Sequence, residues 1–130
     1  MAWEVYKPER TMTDGPSVTI STLGRISFNR PAAKILRHHN RNRLILLWDK
    51  DTQSVGMRPT DTQDGTYAIN PNATITLTFS CTSFLNYIGY DWAHTRSFPV
   101  DWNDKEFMFV LQIPKEFLGA SPRRRRFRTL

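Results

Sequence analysis

Val18 and Ile20 alternate with polar neighbours, and Ile26 and Phe28 do so again beyond Gly24. A period of two puts one face of a strand in a core, so two short strands are predicted with Gly24 at a bend or tight approach between them. The period then changes. Ala32, Ile35 and Leu36 fall at i, i+3 and i+4, which makes one apolar helix face. Asn29 suits the N-cap because its side chain accepts from free first-turn amides, and Pro31 stands where a missing N–H does no harm. The helix is expected to end between His38 and Asn40. Leu44 to Trp48 then predicts a strong strand, 49–52 a turn, and Ser54 to Arg58 the returning strand.

The order comes round a second time. Ile75, Leu77 and Phe79 alternate with threonines as a strand, and Ser80 is positioned to cap a helix. Cys81, Phe84, Leu85 and Ile88 fall on one face of that helix, and Gly89 supplies its stop. The stretch "SFPVDWNDKEFMFVLQIP" predicts two strands around a turn at 103–105. Phe28 and Phe79 close the strands before each helix, Trp48 and Trp102 precede each turn, and Pro59 and Pro114 close each unit. These offsets differ by only a few residues, which small loop insertions absorb.

The expected class is therefore α+β: two β-α-β-β repeats, residues 17–59 and 72–114, pairing into one small barrel or interleaved sheet with two short helices. Residues 1–16 read as an arm in which Trp3, Val5 and Tyr6 flank a polar Glu4 as a short strand. Residues 60–71 read as a turn-rich linker, and 115–130 as a basic tail. A unit of this size cannot close a core alone, so one compact domain is expected overall.

Charge changes the picture more than composition does. The chain has 130 residues, a hydrophobic content of 39% and four tryptophans, which suits a folded globule. Its net charge of +6 is unevenly placed. Arg123, Arg124, Arg125, Arg126 and Arg128 hold five of the 18 basic residues. Arg25, Arg30, Lys34, Arg37, Arg41 and Arg43 hold six more, in a span with no acid. Clustered charge of this kind steers a partner where scattered charge does not. No apolar run is long enough to cross a bilayer, and "MAWEVYKPER" lacks a signal-peptide core, so a cytoplasmic location is expected. The single cysteine, Cys81, agrees with that compartment.

The residues Gly24-Arg25-Ile26-Ser27-Phe28, followed by a helix and a hairpin, resemble the opening of AbrB-type swapped-hairpin domains over Val18 to Pro59. The resemblance implies interleaved hairpins and a DNA-binding, transcription-regulatory role with basic residues near the first strands; related proteins carry both copies in one chain. The chain also resembles short bacterial proteins of no assigned activity that share the "WEVY" start.

Catalytic chemistry finds little to stand on. His38 and His39 are neighbours and point apart on a helix, so a metal pair is not expected, and their place suits the helix C-terminal dipole. Cys81 lies on an apolar face without a nucleophile elbow. Asp101, Asp104 and Glu106 fit a solvated turn, and Asp91 and His94 complete no triad. No glycine-rich phosphate loop is present. Trp48 and Trp102 read as core or hairpin anchors, whereas Trp92 in "GYDWAHTR" reads as an exposed partner contact. A non-enzymatic protein without cofactor, metal or small-molecule substrate is expected. Its basic first repeat and arginine tail would grip the phosphates of DNA or another polyanion. The alternative is an interaction or assembly module whose tail docks on an acidic protein; homodimerisation is left open.

Overall fold

The computed structural model describes residues 2–4, 15–70 and 77–121. Val5, Tyr6, Ile75 and the tail arginines Arg123 to Arg128 lie outside the described residues.

The fold is mixed α+β, with two antiparallel sheets and two helices. Strands β1 (Ser17–Ile20) and β2 (Arg25–Phe28) form the first hairpin. Its turn depends on Gly24, which has φ +72 and faces Thr82 so closely that a Cβ would lie 2.3 Å from the threonine methyl. Helix α1 (Arg30–His39) follows. Asn29 is its N-cap, with Oδ1 accepting from the Ala32 and Ser17 amides at 3.1 and 3.0 Å. One side chain thus starts the helix and ties it to β1. Asn40 ends it in the left-handed region at φ 50. Ala32, Ala33 and Leu36 are buried, and α1 packs on β1 and β2.

Strands β3 (Arg43–Asp49) and β4 (Ser54–Thr60) form the second hairpin, as expected, with Asp49 paired to Ser54. A two-residue strand β5 (Tyr67–Ala68) lies inside the stretch expected as linker and pairs with the start of β3. Strand β6 (Leu77–Ser80) leads into helix α2 (Thr82–Ile88). Here the expected cap moves by one residue. Ser80 is still in the strand, paired with Arg25, and Cys81 becomes the N-cap with no side-chain cap bond. The Cys81 amide donates to Gly24 O at 2.9 Å, so the β1–β2 turn fixes where α2 starts. Gly89 closes α2 at φ 76, as expected.

The last hairpin departs from expectation in its first strand, which is two. Strand β7 (Arg96–Pro99) pairs with β1, while β8 (Asp101–Asn103) pairs with β9 (Met108–Gln112). Pro99 has no amide for a ladder, and the Val100 amide turns away to donate to Pro16 O at 3.0 Å. The chain crosses from one sheet to the other at that point. A single 3-10 turn, Lys115–Phe117, follows β9.

The sheet orders are β6-β2-β1-β7 and β5-β3-β4-β9-β8, and the described strands do not close into a barrel. Apart from the three hairpins, every strand pairing joins a residue before position 61 to one after position 66. The core lies between the sheets. Val18, Ile26, Phe28, Leu77 and Phe79 face Leu44, Val55, Met57, Phe109 and Leu111. Phe28 joins them, with its ring centroid 6.1 Å from Phe79 and 6.0 Å from Phe109. Each such aliphatic or aromatic side chain stabilises the fold by about 1.5–3 kcal/mol relative to exposure. Trp92, read from sequence as an exposed contact, is 1% exposed. Its ring belongs to the core, and its Nε1 donates to Asn86 Oδ1 at 3.0 Å. Among the described residues no helix is long and apolar enough to cross a membrane.

Candidate nucleic-acid interface

Helix α1 positions the first group of cations. Arg30, Lys34 and Arg37 are exposed and recur at i, i+4 and i+7, so they form one stripe opposite the buried Ala32 and Leu36. The first turn contains no acid to answer the positive end of the helix dipole; it carries Arg30 instead. A cation there is locally unfavourable, and an approaching anion relieves it. His38 continues the stripe one turn beyond Lys34.

The other three expected cations go elsewhere. Arg25 is exposed on the outer side of β2, opposite Ser80. Its neighbours there are hydroxyls: Ser27 Oγ donates to Thr78 Oγ1 at 3.1 Å, and Thr19 Oγ1 lies 2.7 Å from Ser97 Oγ. Arg41 pairs with Asp61 at 2.7 Å. Arg43 is half-buried and donates from its guanidinium to Thr66 O at 2.9 Å and to Thr66 Oγ1. Residues 25–43 contain no acid, yet residues 61 and 66 fold back to engage two of their arginines. In the second half, Arg96 is likewise internal. It lies 4.0 Å over the Phe117 ring, donates to Asp91 O and pairs with the Asp91 carboxylate at 3.5 Å.

Beside the stripe lies an open groove of about 370 Å3, lined by Lys34, Ile35, His38, His39, Trp102 and Asp104. It forms where the end of α1 meets the β8–β9 hairpin. The His39 ring stacks on Trp102 at 4.6 Å and 22°, and meets the Phe107 ring edge-on at 4.7 Å. Phe109 abuts the Trp102 ring at 5.1 Å from the core side. Burial, and then the neighbouring His38, holds the His39 pKa below the ordinary histidine value. Trp102 Nε1 donates to Asp104 Oδ1 at 2.6 Å, which fixes that carboxylate on the hairpin side. Trp102 is thus the anchor its sequence position implied. Its contact with His39 joins residues 63 positions apart, and nothing local in the sequence announces it.

The groups that could support catalysis are dispersed. Burial pushes the Cys81 thiol up to about 12, where it is neither nucleophile nor ligand. Glu106 lies 3.7 Å from Arg58, and Asp104 is held by Trp102. Asp91 is held below the usual carboxylate range, first by the Ala93 amide. Among the described residues no three His, Cys, Asp or Glu side chains come together as a metal site. In comparisons with family models, with curated proteins and with solved structures, nothing matches the chain.

Proposed function

We propose that the chain is a non-enzymatic binder of nucleic acid or a similar polyanion, working through Arg30, Lys34 and Arg37 of α1. The observation that carries this reading is that α1 presents an acid-free row of three exposed cations on a rigid, capped scaffold. Phosphates docked along that row release counterions, so affinity falls steeply as salt rises. Arg25 would extend the footprint over the neighbouring hydroxyl-rich sheet face, and Arg123 to Arg128 would add a second, sequence-independent grip. Arg41 and Arg43 lie beyond the α1 row, where they bond to Asp61 and Thr66. A transcription-regulatory role is what the AbrB resemblance of Val18 to Pro59 would imply by analogy.

We infer further that the chain is one β-α-β-β unit used twice and interleaved. Three correspondences support this. Strand β2 pairs with β6, and β4 with β9, each joining equivalent strands antiparallel as a local twofold would. The β3–β4 and β8–β9 loops each span four residues, and the last of each is left-handed, Gln53 at φ 56 and Phe107 at φ 55. Asp49 Oδ1 accepts from the Thr52 amide at 3.4 Å, as Asn103 Oδ1 accepts from the Glu106 amide at 3.0 Å. In this reading α1 kept its cations, while α2, which has no lysine or arginine, became structural.

An electrophoretic shift series from low to moderate salt tests the binding. Retention that weakens with salt, and that is lost on charge reversal of Lys34 and Arg37, is the expected result. No shift at the lowest salt would leave docking on an acidic protein in its place.

A further inference from the structure

We propose that the groove between α1 and the β8–β9 hairpin holds one unstacked base of a single-stranded nucleic acid, so that the chain prefers single strands to duplex. The inference rests on the polyanion reading above and names the form of nucleic acid that the same site takes.

The charge of the groove is polar in direction. Its helix side carries Lys34, which belongs to the cationic stripe, beside His38, and its hairpin side carries the Asp104 carboxylate. A free phosphate seated in the groove would gain Lys34 and meet Asp104. An occupant with a neutral ring and an anionic group at one end meets no such conflict. Its anionic group lies toward Lys34 and the α1 row, and its ring lies toward Trp102 and Asp104. Between those ends the walls are the apolar Ile35 side chain and the flat rings of His39 and Trp102. One oxygen of Asp104 accepts from Trp102 Nε1, which orients the carboxylate; a carboxylate can accept further from the N–H groups on a base edge. Burial disfavours the charged form of His39, which suits its ring to act as a stacking surface.

A nucleotide within a strand fits this description: a flat ring with polar edge, joined to phosphates that continue along Arg30, Lys34 and Arg37. In a duplex the same ring is stacked and paired, and extracting it has an unstacking penalty. Stacking of a base on protein rings changes affinity roughly five- to hundred-fold, which sets the size of the preference.

The test uses the full chain with nitrogen-15 label on its backbone and four indoles. The Trp102 indole resonance is assigned by its loss in Trp102→Phe. The probes are a short oligothymidylate, a blunt-ended duplex and inorganic polyphosphate. The expected result is that all three move the amides of Arg30, Lys34 and Arg37, while only oligothymidylate moves the Trp102 indole. Should the α1 amides respond and the Trp102 indole stay still, or move equally with polyphosphate, the groove assignment is overturned and the polyanion reading survives. If no probe moves the α1 amides, both fall.

Discussion

At Gly24 two constraints coincide. The backbone is left-handed, and the space a Cβ would need is taken by the Thr82 methyl. Gly24→Ala is therefore expected to destabilise by about 2–4 kcal/mol, the sum of left-handed strain and overpacking. Adding Thr82→Ser removes the methyl and should recover the overpacking part in a denaturant titration, leaving the strain. Failure to recover any of it would mean that the contact between the turn and α2 is unimportant. Cys81, one residue before α2 and 2% exposed, gives a second check. With its thiol pushed up to about 12, it should stay unmodified by a thiol reagent at mildly alkaline pH and react fully once urea unfolds the chain. Gly24 was legible in the sequence as a bend or close approach. Trp92 was misread, because a tryptophan among Asp, Ala, His and Thr looks solvated until the core that receives it is known.

The helices and hairpins were the most legible elements, since each is specified by neighbours in the chain. Asn29, Pro31 and the i, i+3, i+4 pattern start α1, and Asn40 ends it. The position of α2 was off by one because its start depends on the Cys81 amide reaching Gly24 O, a contact across 57 positions. The division of β7 from β8 was likewise hidden, although Pro99 was the available hint. The paired loops predict opposite outcomes for one substitution. Gln53→Gly should stabilise by a few tenths to about 1 kcal/mol, because it relieves a left-handed residue with no ring to lose. Phe107→Gly removes the same strain but also a ring packed on His39 and Trp102, and should destabilise by about 1–3 kcal/mol. Thermal melts of the two variants check the pair, and stabilisation by both would deny that Phe107 anchors the end of α1.

Across the whole molecule, pairing between the halves decides what is displayed. The sheets interlock residues before position 61 with residues after 66, so neither half holds a core by itself. This same folding back spreads six cations of one sequence span over several elements: Asp61 and Thr66 return to Arg41 and Arg43, and Arg25 lies exposed on β2. The groove was invisible for the same reason, since Trp102 reaches His39 only when the second hairpin closes over α1. Helix α1 itself carries the exposed row Arg30, Lys34 and Arg37, and the account stands on it. The direct measurement is the salt dependence of binding to a short single-stranded oligonucleotide, made on the full chain with its five tail arginines changed to glutamine, with and without Arg30→Gln, Lys34→Gln and Arg37→Gln. The account predicts that log K falls linearly with log salt, and that losing the three α1 cations flattens the slope by roughly 2. An unchanged slope and affinity would contradict it.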